Sequence, residues 1–115
     1  MNNEKLHLLP RTAFGILLAL SLRPRHGYEL MQQIEHDTGG RTRLGPGALY
    51  TTIKQLDEDN LIEEMPFMDD ERRRYYRLTR KGWNRLGTEM KYYEDIVQLG
   101  RERRVLGQDY GAFGV

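Results

Sequence analysis

There is no cysteine among the 115 residues, and that one absence removes disulfides, thiolate metal sites and thiol nucleophiles together. His7, His26 and His36 do not have the spacing of a metal-ligand set. Each is expected to be a surface, capping or packing residue, and no metal or other cofactor is expected. Long hydrophobic runs are lacking too. The longest, residues 13–20, lies between Arg11 and Arg23, well short of the roughly 20 apolar residues a membrane span needs. The opening MNNEKLHLLP does not look like a secretion signal, so a soluble, cytoplasmic protein with no membrane partner is the expectation. Nor is there an acid–base pair, a nucleophile or a phosphate-cradling glycine loop beyond Gly45-Pro46-Gly47, which reads better as a helix start. An enzyme is not expected.

Net charge is nearly absent, a formal +1, but the charges are sorted along the chain. Residues 41–54 hold three cations and no acid, residues 57–71 eight acids and no cation, and residues 72–81 six cations and no acid. A near-neutral protein of this kind can still present a basic face. With 38% hydrophobic content, 115 residues suffice for one core of modest size.

The most informative stretch is residues 44–82, where a helix pattern is followed by a charged hairpin pattern. Pro46, with its fixed φ, suits a first helical turn, and Leu49, Ile53 and Leu56 share one face. At about 100° per residue, Gly47, Thr51 and Lys54 lie opposite that stripe, with Ala48, Tyr50 and Gln55 on its flanks. After Asn60 the period changes. Residues 61–67 read as a strand, MDDER as a turn and residues 73–78 as the returning strand. Arg72, Arg73, Arg74 and Arg77 give this hairpin four guanidiniums with Tyr75 and Tyr76 among them. Guanidinium forks onto phosphate oxygens and is always charged. The competing expectation is a solvated lattice of ion pairs with Glu63, Glu64, Asp69, Asp70 and Glu71. If Leu78 points to the core, alternation sends Tyr76 and Arg74 the same way, and Arg73, Tyr75 and Arg77 the other.

Upstream, residues 11–22 are apolar nearly all round, as in a helix enclosed by other elements. A second helix is expected from His26 or Gly27 to Thr38, with Leu30, Met31 and Ile34 inward and the Gly39-Gly40 pair stopping it. Downstream, Thr79 can cap a final helix reaching about Leu106. Trp83, Leu86, Met90, Tyr93, Val97 and Gly100 recur along it at alternating spacings of three and four, like a coiled-coil seam, widened by Tyr92, Ile96, Leu99 and Leu106. A small head covers only part of such a surface, which points to a second copy of the chain. The fold class expected is mainly α with a small β-hairpin: a winged helix-turn-helix over residues 1–78, a dimerisation helix over 79–106 and a flexible tail over 107–115.

Three motifs in order, ILLALSLRPRHGYELMQQIE, GPGALYTTIKQLDEDNLIEE and DERRRYYRLTRKG, resemble the PadR family of bacterial and archaeal transcriptional regulators. The single long C-terminal helix is similar to its smaller subfamily. The resemblance implies a homodimer held by the last helix and supported by the first, with two winged heads on a palindromic operator in double-stranded DNA, usually repressing. Carried over residue by residue, it puts Gly47, Ala48, Tyr50, Thr51 and Lys54 at the DNA, Arg72, Arg73 and Arg74 on the flanking backbone, and Tyr28 near a phosphate. Gln55 joins these as a side chain able to reach base edges. Phe14, Leu86, Met90, Tyr93, Ile96 and Val97 are the candidate dimer residues. Many relatives have threonine where this chain has Ala48, which removes a hydroxyl contact there. Small relatives can bind flat lipophilic compounds between subunits, and Trp83, Tyr92 and Tyr93 are the candidates for such a small lipophilic or aromatic effector. The alternative from another class is a winged-helix protein-interaction module without specific DNA binding, whose mark would be a depleted wing.

Overall fold

The computed structural model describes residues 7–66 and 73–107. Within them the order is α1 (Arg11–Leu20), β1 (Arg25–His26), α2 (Gly27–Asp37), α3 (Pro46–Glu58), β2 (Ile62–Glu64), β3 (Tyr75–Leu78) and α4 (Arg80–Glu102). The apolar residues of α1 are explained by its neighbours: it touches α2, α3, α4 and β3. Ile16 and Leu17 are fully buried, and Leu30, Ile34, Leu49, Leu56, Leu61 and Ile62 close the core around them. Each such side chain contributes roughly 1.5–3 kcal/mol through the apolar surface it removes from water.

Helix ends follow from local chemistry. The Nδ1 of His26 accepts from the Glu29 amide at 3.4 Å while the Glu29 carboxylate accepts from the His26 amide at 3.3 Å, a capping box that starts α2. At its other end Gly39 and Gly40 take φ of 60° and 81°. Their amides donate to His36 at 3.1 Å and Glu35 at 2.8 Å, which satisfies carbonyls left over by the last turn. The same device ends α3 with Asn60 at φ 61°, and Leu61 donates back to Leu56 at 2.9 Å. Asparagine tolerates this left-handed geometry better than most side chains.

The sheet runs β1-β3-β2, all antiparallel. Ile62 pairs with Leu78, Glu63 with Arg77 and Glu64 with Tyr76. On its other edge β3 pairs Tyr76 with Arg25 and Tyr75 with His26. The strand β1 is an addition to the hairpin expected, and residues 73 and 74 precede β3 rather than opening it. Tyr76 and Leu78 do point inward, but the Arg74 side chain is 72% exposed. Alternation governs only paired residues, and the ladder begins at Tyr75. The turn at residues 68–72 and the expected tail from 108 onward lie outside the described residues.

Thr79 starts α4. Its hydroxyl accepts from the Gly82 amide at 2.9 Å and donates to the Asn60 carbonyl at 2.6 Å, tying the helix to the end of α3. Gly82 passes so near the chain that an added Cβ would lie 2.0 Å from the Leu61 carbonyl oxygen. One turn on, Leu86 is 5% exposed and Glu89 has no exposure at all. The Glu89 carboxylate accepts from the Leu9 amide at 3.0 Å and from Arg85, which also donates to the His7 carbonyl. The helix ends at Glu102, short of residue 106, because Arg104 takes φ 60° and Val105 donates back to Gly100. Thus the seam expected along α4 divides into two faces. Gly82, Leu86 and Glu89 turn toward the head, whereas Trp83, Met90 and Val97 lie exposed about 70° round the helix.

Candidate nucleic-acid interface

The buried stripe of α3 decides what its other face can do. Leu49, Ile53 and Leu56 fix the helix to the core, leaving Gly47, Ala48, Tyr50, Thr51, Lys54 and Gln55 on its outer side. Pro46 stands in the first turn, the preceding Gly45 offers no side-chain cap, and the first turn holds no acid. The partial positive charge of this helix end is therefore not countered by a local carboxylate, which suits an anion such as phosphate. Of the polar side chains, Gln55 is drawn along its own helix to the Asp59 carboxylate at 3.4 Å. The threonine hydroxyl that bonds back to the helix, at 2.8 Å from the Ala48 carbonyl, belongs to Thr52 rather than to Thr51.

A groove of about 470 Å³ lies beside this face, lined by His26, Gly27, Tyr28, Tyr50, Arg73, Arg74 and Tyr76. It brings together the start of α2, the flank of α3 and the wing, so Tyr28, Tyr50, Arg73 and Arg74 converge although the sequence spreads them over more than 40 positions. Tyr28 is 61% exposed and Tyr50 51%. The Tyr50 ring leans on Gly27, where an added Cβ would stand 2.4 Å from its hydroxyl oxygen. Sequence reasoning did not single out Gly27, although it lies inside the HGYE motif. The contact joins two helices, and neither helix's periodicity marks it.

Arg23 donates to Glu29 at 2.7 Å, and this hydrogen bond holds the Glu29 carboxyl below its usual range. Burial pushes the Tyr76 hydroxyl above its usual range. The His26 ring stands edge-on to Tyr75 with centroids 5.2 Å apart, fastening β3 to the α2 cap. Arg25 is buried and donates from Nε to the Ala19 carbonyl at 3.1 Å.

Ion pairs of the competing lattice exist in the hairpin. Arg74 lies 3.5 Å from Glu64 and Arg77 3.3 Å from Glu63, all four side chains more than 40% exposed. Solvated pairs of this kind are worth about 0–1 kcal/mol, so a phosphate can displace the carboxylate at little cost. Arg72 lies outside the described residues.

Away from the groove, α4 exposes Trp83, Met90, Tyr92, Ile96, Val97 and Leu99. Tyr93 is half-buried, its ring edge-on to Phe14 at 5.1 Å and to Tyr92 at 5.5 Å. Leu86, expected beside them at a dimer seam, has its surface taken by the head. Trp83 is not brought into the tyrosine cluster: Tyr92 lies nine positions further along the helix, about 13 Å along the axis. Among the described residues no group of three or more His, Asp or Glu is set to hold a metal, and no helix is long and apolar enough to cross a membrane.

Comparison with known proteins points the same way. The model of the transcriptional regulator PadR-like family matches residues 16–88. An uncharacterized protein of Lysinibacillus sphaericus is 29% identical over 88 residues, which are 74% of this chain and 81% of that one. Among solved structures, a PadR family transcription regulator from Clostridium difficile is similar with a TM-score of 0.68 and 23% identity, over 81% of this chain and 97% of the other. RosR of H. salinarum is similar with a TM-score of 0.66 and 21% identity, over 91% of this chain and 96% of the other.

Proposed function

Since this chain belongs to the PadR-like family of transcriptional regulators, we propose that it acts as a sequence-specific DNA-binding repressor, a cytoplasmic homodimer without enzymatic activity whose two heads sit on a palindromic operator. The observation that carries this reading is the groove in which Tyr28, Tyr50, Arg73 and Arg74 meet beside the exposed face of α3. On the DNA, α3 enters the major groove. Thr51 and Lys54 read base edges, Lys54 donating to guanine acceptors. Gly47 and Ala48 let the helix end approach the backbone closely. Arg73 and Arg74, with Arg72, neutralise flanking phosphates, and the Tyr28 hydroxyl donates to another.

The dimer rests on the apolar face of α4, with Met90, Ile96 and Val97 at its centre and the Phe14–Tyr93 pair supporting it from α1. In this arrangement residues 79–89 serve the head as well as the dimer, and the division of the chain at residue 79 is one of role. The two reading helices must then lie about one turn of DNA apart, roughly 34 Å, and an effector that alters the dimer angle breaks the match. Tyr92 and Tyr93 are better placed than Trp83 to stack on such a compound, since they share one cluster.

Binding of the purified protein to a labelled fragment of its own upstream DNA, against random DNA of equal length, tests the proposal. A clear preference with two protomers per fragment is expected. Equal binding to both would instead mean a nonspecific coat, and no binding to either would favour the protein-interaction module.

A further inference from the structure

Two motifs that stand more than 20 residues apart in the sequence meet at one atom. The ring of Tyr50, on the flank of α3, ends against the backbone of Gly27, at the first position of α2. A Cβ on Gly27 would lie 2.4 Å from the Tyr50 hydroxyl oxygen, 2.9 Å from Cζ and 3.2 Å from Cε1. A Cβ does not stand that close to another heavy atom, so any other residue at 27 makes the outer end of the Tyr50 side chain move. Gly27 is itself buried while Tyr50 is half-exposed. The start of the helix does not call for glycine at this position, since the cap is supplied by His26 and Glu29. Nor does a left-handed φ require it, since Gly27 is not among the positive-φ glycines.

We infer that Gly27 is a positioning residue, the seat on which Tyr50 rests so that its ring forms one wall of the groove beside α3, with Tyr28 and Arg74 facing it. This rests on the DNA-binding reading above and adds a residue to it. Seating fixes a long side chain before DNA arrives, so little rotamer freedom is lost on contact. It also couples two elements. α2 cannot shift relative to α3 without either opening a gap under Tyr50 or driving its hydroxyl out of place.

The test is a double-mutant cycle of Gly27→Ala and Tyr50→Ala, read as affinity for a DNA fragment selected by the protein from a random pool. Each single substitution is expected to weaken binding about tenfold, the size of one lost hydrogen bond to a charged group. In the Tyr50→Ala background, Gly27→Ala should change affinity by less than about twofold, because the residue it acts through is gone. The thermal midpoint of Gly27→Ala should equal that of the unmodified protein or exceed it. Equal weakening by Gly27→Ala in both backgrounds would overturn the inference, placing its effect in the α2 cap. So would unchanged affinity in either single variant. Failure of the unmodified protein to select any DNA would overturn the function proposed above, and with it the role of Tyr50 as a wall of a DNA groove. The seat itself is read separately, by nuclear magnetic resonance of the Tyr50 ring. Its signals shift in Gly27→Ala if the hydroxyl rests on Gly27, and unmoved signals would contradict the contact.

Discussion

Replacing Gly82 with alanine should cost this protein stability, although the same replacement in most helices confers it. The Cβ would lie 2.0 Å from the carbonyl oxygen of Leu61 and 3.0 Å from its carbonyl carbon. Carbon and oxygen of this kind approach to about 3.3 Å at closest, so α4 must retreat by about 1 Å. The obstacle is backbone, held by Leu61 itself, which is 1% exposed. That same carbonyl accepts the Thr79 amide at 3.2 Å, so the retreat also strains the start of the helix. Overpacking costs about 1–3 kcal/mol, and alanine returns up to about 1 kcal/mol of helix propensity. A net loss of about 1 kcal/mol follows, a fall in Tm of roughly 4–8 °C for a domain near this size. Gly87→Ala, five residues along the same helix and with nothing within 4 Å of the added carbon, should be neutral or stabilising by up to about 1 kcal/mol. Urea and thermal unfolding at one fixed protein concentration compare the two. Equal stability of Gly82→Ala and the unmodified protein would refute the reasoning, since it would mean α4 does not lie against Leu61.

Other perturbations bear on the DNA face and its supports. Arg73→Ala and Arg74→Ala should each weaken operator and random DNA together and lower the salt slope by about 1; an unchanged slope in binding titrations would remove the wing from the interface. Lys54→Ala should flatten the preference for operator over random DNA, with a loss of about 1–3 kcal/mol confined to the operator; equal losses on both would make it a phosphate contact. Glu89→Ala leaves the Leu9 amide and Arg85 without their shared acceptor, so amide exchange at Leu9 should speed up and stability fall by about 2 kcal/mol; protection unchanged at Leu9 would contradict the tie. The Glu29 carboxyl titrates lower in the folded chain than its ordinary 4.5, so its contribution to stability is present above that value and is lost as pH falls below it. Arg23→Ala should raise the Glu29 midpoint, as seen in its side-chain carbon shifts, and narrow that acid range. A midpoint unmoved by Arg23→Ala would assign the shift to the α2 cap instead.

Much of this fold was legible because its signals are local. Pro46, the Leu49–Ile53–Leu56 spacing, the Gly39-Gly40 stop and the Thr79 cap each depend on residues within a turn of one another, and each element stands where those residues put it. Strand β1 was not legible, because two residues carry no period and Arg25 gives no apolar cue. Its pairing is supplied by β3, some 50 positions away. Along α4, spacings of three and four mark an apolar surface but do not say which neighbour takes it. Glu89 was hidden for the reverse reason: a carboxylate in sequence reads as solvent-facing, and only the Leu9 amide and Arg85 explain its burial. For the proposed DNA face, periodicity alone separates the exposed side of α3 from its buried side. The approach of Tyr50 to Gly27 joins two helices and has no trace in either one's pattern.

In the proposed assembly the exposed face of α3 and the wing arginines meet DNA while α4 meets a second copy of the chain. Titrating the isotope-labelled protein with its preferred DNA fragment and following backbone amide shifts tests this most directly. The largest changes are expected at Gly47, Ala48, Thr51, Lys54, Arg73 and Arg74, with small ones from Met90 to Leu99. Large changes along α4 with α3 and the wing unmoved would contradict it and place the DNA, or whatever the protein binds, on the other side of the molecule.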